Sequence, residues 1–305
     1  MVYQNFEQLI AKVKGSPVRR RMAVAAANDE HTLEAVFHAA KEGIIEPVLI
    51  GDRKIMDPLL AEMGGSVPEE NIIDCPGTSE PAEKAVEMIR EGKADFIMKG
   101  SLDTKVILKA VVDKEKGLSR GRTMSHFCII EVPGYHKMVS VVDSGMVLYP
   151  TLEQKKDIIM NSVEAMRAMG YDRPKVAVLA CVEKVNPKMP ETLDAAALKE
   201  MNERGEIPHC VVEGPVSYDC AMSREIAELK GYESPVAGDA DILLTPNIHA
   251  GNILGKAYTV TCGAKMAGFI VGAKCPVVIT SRASSAQEKY HSIVVCASIG
   301  NVVKE

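Results

Sequence analysis

The chain has no long apolar run. Across its 305 residues no segment approaches the roughly 20 apolar positions of a membrane span. The first fourteen residues mix Asn5, Glu7, Gln8 and Lys12 with apolar ones, so they lack the continuous apolar core of a secretory leader. No membrane association is expected, and the setting is read as cytoplasmic. Charge of one sign is missing too. Thirty-six basic against 41 acidic residues leave a net charge of −5, which creates no field for nucleic acid or anionic lipid. Any anion must therefore be held locally. The eight cysteines include no Cys-x-x-Cys pair, and no histidine stands at zinc-finger spacing. They read as reduced, mostly buried thiols, and no metal site is expected. No Gly-x-Gly-x-x-Gly follows a strand, and Gly-x-Ser-x-Gly and His-Glu-x-x-His are absent. That argues against dinucleotide enzymes, serine hydrolases and zinc proteases.

What is present is alternation. Leu33, Val36, Phe37 and Ala40 repeat at i, i+3, i+4, i+7 between the capping candidate Asp29 and the stop Gly43, which predicts a helix. Short apolar, β-branched runs at 22–27 and 47–50 bracket it as strands. Further strands are predicted at 71–74, 96–99, 128–132, 138–143, 175–180, 210–213, 242–245 and 276–280, with helical patterns at 81–91, 153–169 and 192–203. This order predicts an α/β protein with mostly parallel sheets and flanking helices, and ten strands suggest two domains. The break is placed near Tyr149-Pro150, and no low-complexity tether or internal repeat separates the parts.

Three segments place polar groups where a predicted strand ends, which is where open α/β sheets gather ligands. In the first, the strand 96–99 runs through Lys99, Gly100, Ser101 and Asp103 into a helix carrying Thr104 and Lys109. A helix start offers free N–H groups and a positive dipole end to an anion, although an ordinary cap reads the same way. In the second, Asn247, His249, Gly251 and Asn252 follow the strand 242–245. Three residues separate Gly251 from Gly255 and Ala257 follows Lys256, so it is not a P-loop. In the third, Thr280, Ser281 and Arg282 precede a hydroxyl-rich helix start with Glu288 one to two turns on. Arg282 has a fork suited to phosphate, Ser281 a hydroxyl for an oxyanion and Glu288 a carboxylate for a proton; an ion pair and a serine cap are the plainer alternatives. Three such ends imply a multiply charged substrate.

Lys99-Gly100, Thr123-Met124-Ser125-His126, Asn186-Pro-Lys-Met-Pro190 with Thr192-Leu-Asp194, Val212-Glu-Gly-Pro215 and Thr280-Ser281-Arg282-Ala283 resemble phosphate butyryltransferases. The similarity runs from end to end, with phosphate acetyltransferases as more distant relatives. The resemblance implies two α/β domains of the isocitrate and isopropylmalate dehydrogenase type. Residues 1–149 with 275–305 would form the first, 150–274 the second, and the active site the cleft between them. It implies reversible transfer of a short acyl group, butyryl foremost and acetyl as the alternative, between coenzyme A and inorganic phosphate by direct thiolate attack. Acyl-CoA, phosphate and acyl phosphate would be the ligands, with no tightly bound cofactor, and the enzyme a homodimer or larger homo-oligomer. Ser281 and Arg282 fall on the family's Ser-Arg pair, Thr104 on a phosphate-contacting hydroxyl, Lys109 where an Arg is usual, and Asn247, Gly251 and Asn252 on a conserved-looking Pro-x-x-x-x-Gly-Asn loop. Glu288 stands where acetyltransferases carry an acid, whereas Ser284 and Gln287 are neutral where butyryltransferases often carry acids. Two other readings compete: a hydroxy-acid dehydrogenase using Asp239 and Asp241 on a divalent metal, and a two-lobed anion-binding protein without turnover.

Overall fold

The computed structural model describes residues 2–65, 67–280 and 284–300. In chain order the elements begin α1 (Phe6–Lys14), β1 (Arg20–Ala25), α2 (Glu30–Lys41), β2 (Ile45–Gly51), α3 (Arg53–Met63), β3 (Ile72–Asp74), α4 (Glu80–Arg90), β4 (Phe96–Lys99) and α5 (Thr104–Val112). There follow β5 (Ser125–Glu131), β6 (Val139–Val142), α6 (Leu152–Met169), β7 (Lys175–Leu179), α7 (Pro190–Glu203), β8 (Val211–Val216), α8 (Tyr218–Met222), α9 (Arg224–Leu229), β9 (Ile242–Leu244) and α10 (Ile248–Lys256). The chain closes with β10 (Lys265–Val271), β11 (Val277–Val278) and α11 (Ala286–Ile299). The caps explain several starts. Asp29 accepts from Thr32 N–H and Asp52 from Lys54 N–H, while Thr151 and Gln154 form a reciprocal capping box.

Two compact units result. One, the β1 unit, holds Phe6–Arg122 and residues 267–300; the other, the β9 unit, holds residues 2–5 and Thr123–Met266. Within the β1 unit the strand order is β3-β2-β1-β4-β11-β10, parallel except for β10 against β11. Within the β9 unit it is β5-β6-β9-β7-β8, parallel except for β5 against β6. The division expected after residue 149 thus lies after Arg122, because β6 pairs with β9 and takes residues 123–149 with it. The strand β10, unforeseen in the sequence, pairs with β11 and belongs with the C-terminal return.

Parallel strands covered on both faces are uniformly apolar, as in Met22–Ala25 and Phe96–Met98, all fully buried. Helices α1, α2 and α11 pack on one another, Phe6 stacking on His291 at 4.0 Å and His38 on Tyr290 at 4.3 Å. Five of the eight cysteines are buried and all are free. Among the described residues no helix is long and apolar enough to cross a membrane.

The β9 unit also buries charge. Lys137 Nζ stands 2.7 Å from both Asp239 Oδ1 and Asp241 Oδ1, the latter contact lacking hydrogen-bond alignment. Lys175 Nζ pairs with Asp239 as well, and its N–H donates to Asp241 Oδ2 at 2.8 Å. Burial alone would raise the Asp239 carboxyl; hydrogen bonds from Lys137, Lys175 and His136 outweigh it and hold it well below the usual range. Its contribution is therefore complete above about pH 4 and fades as pH falls toward the lower folded-state value. Lys137→Met, which takes the ammonium away from buried Asp241 and one of three side-chain partners from Asp239, is expected to cost about 3 kcal/mol by urea denaturation at pH 7. The stability gap between wild type and Asp239→Asn should stay level from pH 7 to 5 and close below about pH 4; a gap that widens on acidification contradicts this account.

Candidate active site

At the end of β4 the chain stays on the sheet. Gly100 N–H donates to Ala25 O and Ser101 N–H to Ala26 O, both at 2.8 Å, so the β1–β4 ladder outlasts the strands. A Cβ on Gly100 would lie 2.1 Å from Ala26 O, so only glycine fits. Ala26 itself sits at φ 59°, a left-handed conformation costing about 1 kcal/mol. The free N–H groups expected at this strand end are thus largely used, since Leu102 N–H also turns back to Gly100 O at 2.9 Å. The Lys99 ammonium donates to Gly100 O at 3.1 Å and Leu102 O at 2.9 Å and steadies the turn.

This turn borders a cavity of about 490 Å³ that Asp29 and Thr32 at the start of α2, Thr280 after β11 and Lys289 of α11 also line. Three helix starts meet strand ends here, the arrangement that suits an anion. Thr104 opens α5 and is exposed. Lys109 is five residues on, about 140° around the helix axis, and faces elsewhere. It lines a groove of about 820 Å³ with Glu83, Glu87, Asp113 and Lys116, so Lys99 and Lys109 do not share a cavity.

Ser281 and Arg282 lie outside the described residues. Glu288 occupies the first turn of α11, its N–H capped by Ser285 Oγ at 3.1 Å and its carboxylate accepting from Ser284 Oγ at 2.7 Å. One serine is therefore the plain cap and the other orients the carboxylate.

The second segment lies in the β9 unit and grips the turn that follows β6. Asn247 Oδ1 caps α10 through His249 N–H and Ala250 N–H at 3.1 and 3.2 Å. A Cβ on Gly251 would meet Asp143 O at 2.4 Å, and Asn252 Nδ2 donates to Ser144 O at 3.1 Å. His249 Nε2 is 2.9 Å from the Tyr149 hydroxyl. Asp143 holds the turn itself: one carboxylate oxygen accepts from Gly145 and Met146 N–H at 2.7 and 2.8 Å, the other from His126 N–H at 2.8 Å. Desolvation pulls the half-buried His126 down against the opposing Asp143 charge, so its imidazole is neutral at pH 7, with Nδ1 2.9 Å from Ser144 Oγ. Asp143 and Ser144 were not singled out in the sequence; a Asp-Ser-Gly run directly after an apolar strand was the available signal. An apolar cavity of about 470 Å³, lined by Leu179, Met189, Tyr218, Pro246 and Leu254, opens at the same end of β9. Asp239 and Asp241, the metal candidates of the dehydrogenase reading, have Lys137 as their counter-ion.

Residues 77–297 match the family described as phosphate acetyl/butaryl transferase. The chain is 43% identical to the phosphate butyryltransferase of Clostridium acetobutylicum, covering 97% of this chain and 98% of that protein. It is 44% identical to the phosphate acetyltransferase of Thermotoga maritima, covering 95% and 98%. The solved branched-chain phosphotransacylase of Enterococcus faecalis matches with a TM-score of 0.80 at 30% identity, over 94% of this chain and all of that one. Acetyltransferases are therefore not the more distant relatives the motifs suggested. An acyl pocket involves too few side chains to move an identity taken over the whole chain.

Gly100→Ala forces backbone apart at the strand end and is expected to cost about 3 kcal/mol in urea denaturation, against less than about 0.5 kcal/mol for the exposed neighbour Ser101→Ala. Equal, small effects of the two would show that the Ala26 carbonyl can yield.

Proposed function

The chain belongs to the phosphate acetyl/butaryl transferase family, and we propose that it reversibly transfers a short acyl group, butyryl foremost, between coenzyme A and inorganic phosphate. The observation that carries the reading is the cavity at the ends of β1, β4 and β11, where helix starts and lysines surround room for a phosphate group. In the proposed step the coenzyme A sulfur attacks the carbonyl carbon of the acyl phosphate, the thiol proton passes to a base, and phosphate leaves with the electrons of the broken C–O bond. In reverse, phosphate attacks the thioester and coenzyme A leaves. Ser281 and Arg282 would stabilise the oxyanion and hold substrate oxygens. Lys99, Gly100, Thr104, Asn247, His249, Gly251 and Asn252 would serve substrate binding, Lys99, Gly100, Asn247 and Gly251 by shaping the strand ends, whereas Lys109, on its separate groove, would not share the phosphate cavity.

Glu288 is the proposed base. From an ordinary thiol near 8.5 to an ordinary carboxylate near 4.3 the transfer is uphill by about 6 kcal/mol, so a cation must favour the thiolate; Arg282 is assigned that part. No tightly bound cofactor and no metal enter the step. The same reading puts the enzyme in the cytoplasm as a homodimer or larger homo-oligomer. Acetyl is the second reading, supported by the 44% identity to a phosphate acetyltransferase, and a methylene pair in the acyl wall is worth about 1–3 kcal/mol of discrimination.

Purified protein with butyryl-CoA is expected to release free thiol only when phosphate is present, and faster than with acetyl-CoA. Arg282→Ala should lose about 1000-fold in rate and Glu288→Gln about 100-fold. Near-full activity of Glu288→Gln would remove Glu288 as the base and leave the reaction class intact. Phosphate-independent release, or none with any acyl-CoA, would sink the acyltransferase reading.

A further inference from the structure

Among the described residues three lysines are buried, Lys137, Lys155 and Lys289. Two have carboxylates at 2.7 Å: Lys137 meets Asp239 and Asp241, and Lys155 meets Asp194. Lys289 is 8% exposed and, among the described residues, makes no side-chain hydrogen bond or ion pair. The stem of Lys289 is packed away, while its ammonium keeps contact with the cavity that it lines.

The place where Lys289 lies says what that partner is. Lys289 lines the cavity at the ends of β1, β4 and β11, near the starts of α2, α5 and α11. The other lysine on that lining, Lys99, already donates to two carbonyls. The acids on the lining are not its partners, since Asp29 accepts from Thr32 N–H and no carboxylate pairs with Lys289. The cavity is thus polar, edged by helix N-termini and supplied with a cation, on a largely covered side chain, that no described carboxylate pairs. We infer that Lys289 is a substrate-binding residue whose ammonium receives the oxygens of inorganic phosphate or of the phosphoryl group of an acyl phosphate. The choice of phosphate rests on the acyltransferase reading; the anion site itself rests on burial and the missing partner.

Lys289→Met tests it in the full-length protein with inorganic phosphate as probe. Without phosphate the variant is expected to melt close to wild type, because it removes no ion pair and keeps the apolar stem. Phosphate at constant ionic strength should raise the melting temperature of wild type and leave that of Lys289→Met unmoved. In turnover the KM for phosphate should rise about 30-fold, as for loss of a charged hydrogen bond, with the KM for butyryl-CoA within about twofold and partial recovery in Lys289→Arg. A variant that melts far below wild type without phosphate, keeps the phosphate-induced shift, or raises both KM values together overturns the assignment. A wild type insensitive to phosphate does so too. A wild type stabilised by phosphate through Lys289 but without phosphate-dependent thiol release keeps the anion site and rejects the acyltransferase. Normal turnover with an unchanged phosphate KM in Lys289→Met does the reverse.

Discussion

The arrangement of the β1 unit's strand ends hangs on the contact between Gly100 and the carbonyl of Ala26. With no Cβ to fend it off, the backbone after β4 lies flat against the backbone after β1 and donates two N–H groups to it. The left-handed Ala26 is the cost of aiming that carbonyl, and the bond from Ser101 N–H together with that from Ala27 N–H to Ile50 O at 3.0 Å offsets it. From this fixed turn the Lys99 ammonium reaches two carbonyls, α5 starts in a set direction, and Asp103 borders the same space as the start of α2. A larger residue at 100 would displace all of these together, because they share one stretch of backbone.

The β9 unit solves the same problem with a buried charge. Asp143 follows β6 and gathers three N–H groups that would otherwise point at nothing, while Thr245 Oγ1 donates to carbonyls of the same turn. Gly251 again marks the spot where one backbone presses on another, here α10 on Asp143 O. These bonds hold the turn directly beside the neutral imidazole of His126. Each unit therefore fixes the C-terminal ends of its strands before any ligand is present, which is the rigidity an anion site needs for its donors to be in place in advance.

Much of this was legible in the residues. The helix stripe of α2 and the apolar runs of β1, β2 and β4 announced a parallel α/β protein, because strands buried on both faces leave no polar alternation. Glycines 100 and 251 stood out at strand ends, although Gly100 did so as part of an anion site and not for the close backbone approach that requires it. What was not legible is long-range. Residues 123–149 join the β9 unit through long-range contacts, among them the pairing of β6 with β9 that sets Ser140 opposite Ile242 and the Lys137 contacts with Asp239 and Asp241. Lys109 looked like a neighbour of Lys99 because sequence distance hides the 140° turn of the helix between Thr104 and Lys109. Lys289 was passed over because α11 is buried nearly all round, so neither spacing nor a polar face set it apart from Tyr290 and His291.

Cations in this chain are informative only once their partners are counted. Glu183, Asp219 and Cys220 bring three ligand atoms within 4.8 Å of one another, the usual look of a metal site. Lys230 Nζ nevertheless lies 3.0 Å from Glu183 and 2.9 Å from Asp219, and hydrogen bonds from Ser217 and then Lys230 hold the Asp219 carboxyl at about 2. The Asp239 cluster has Lys137 and Lys175 in the same role. In these clusters acid and base meet within the fold, so the groups are stable as they stand and ask for no ligand. A net charge of −5 does not contradict anion binding, since exposed charges more than about 8 Å away are largely screened. What decides is local balance. The β1-unit cavity holds the ammonium of Lys289, which no described carboxylate balances, and it does so where the backbone has already been set by Gly100.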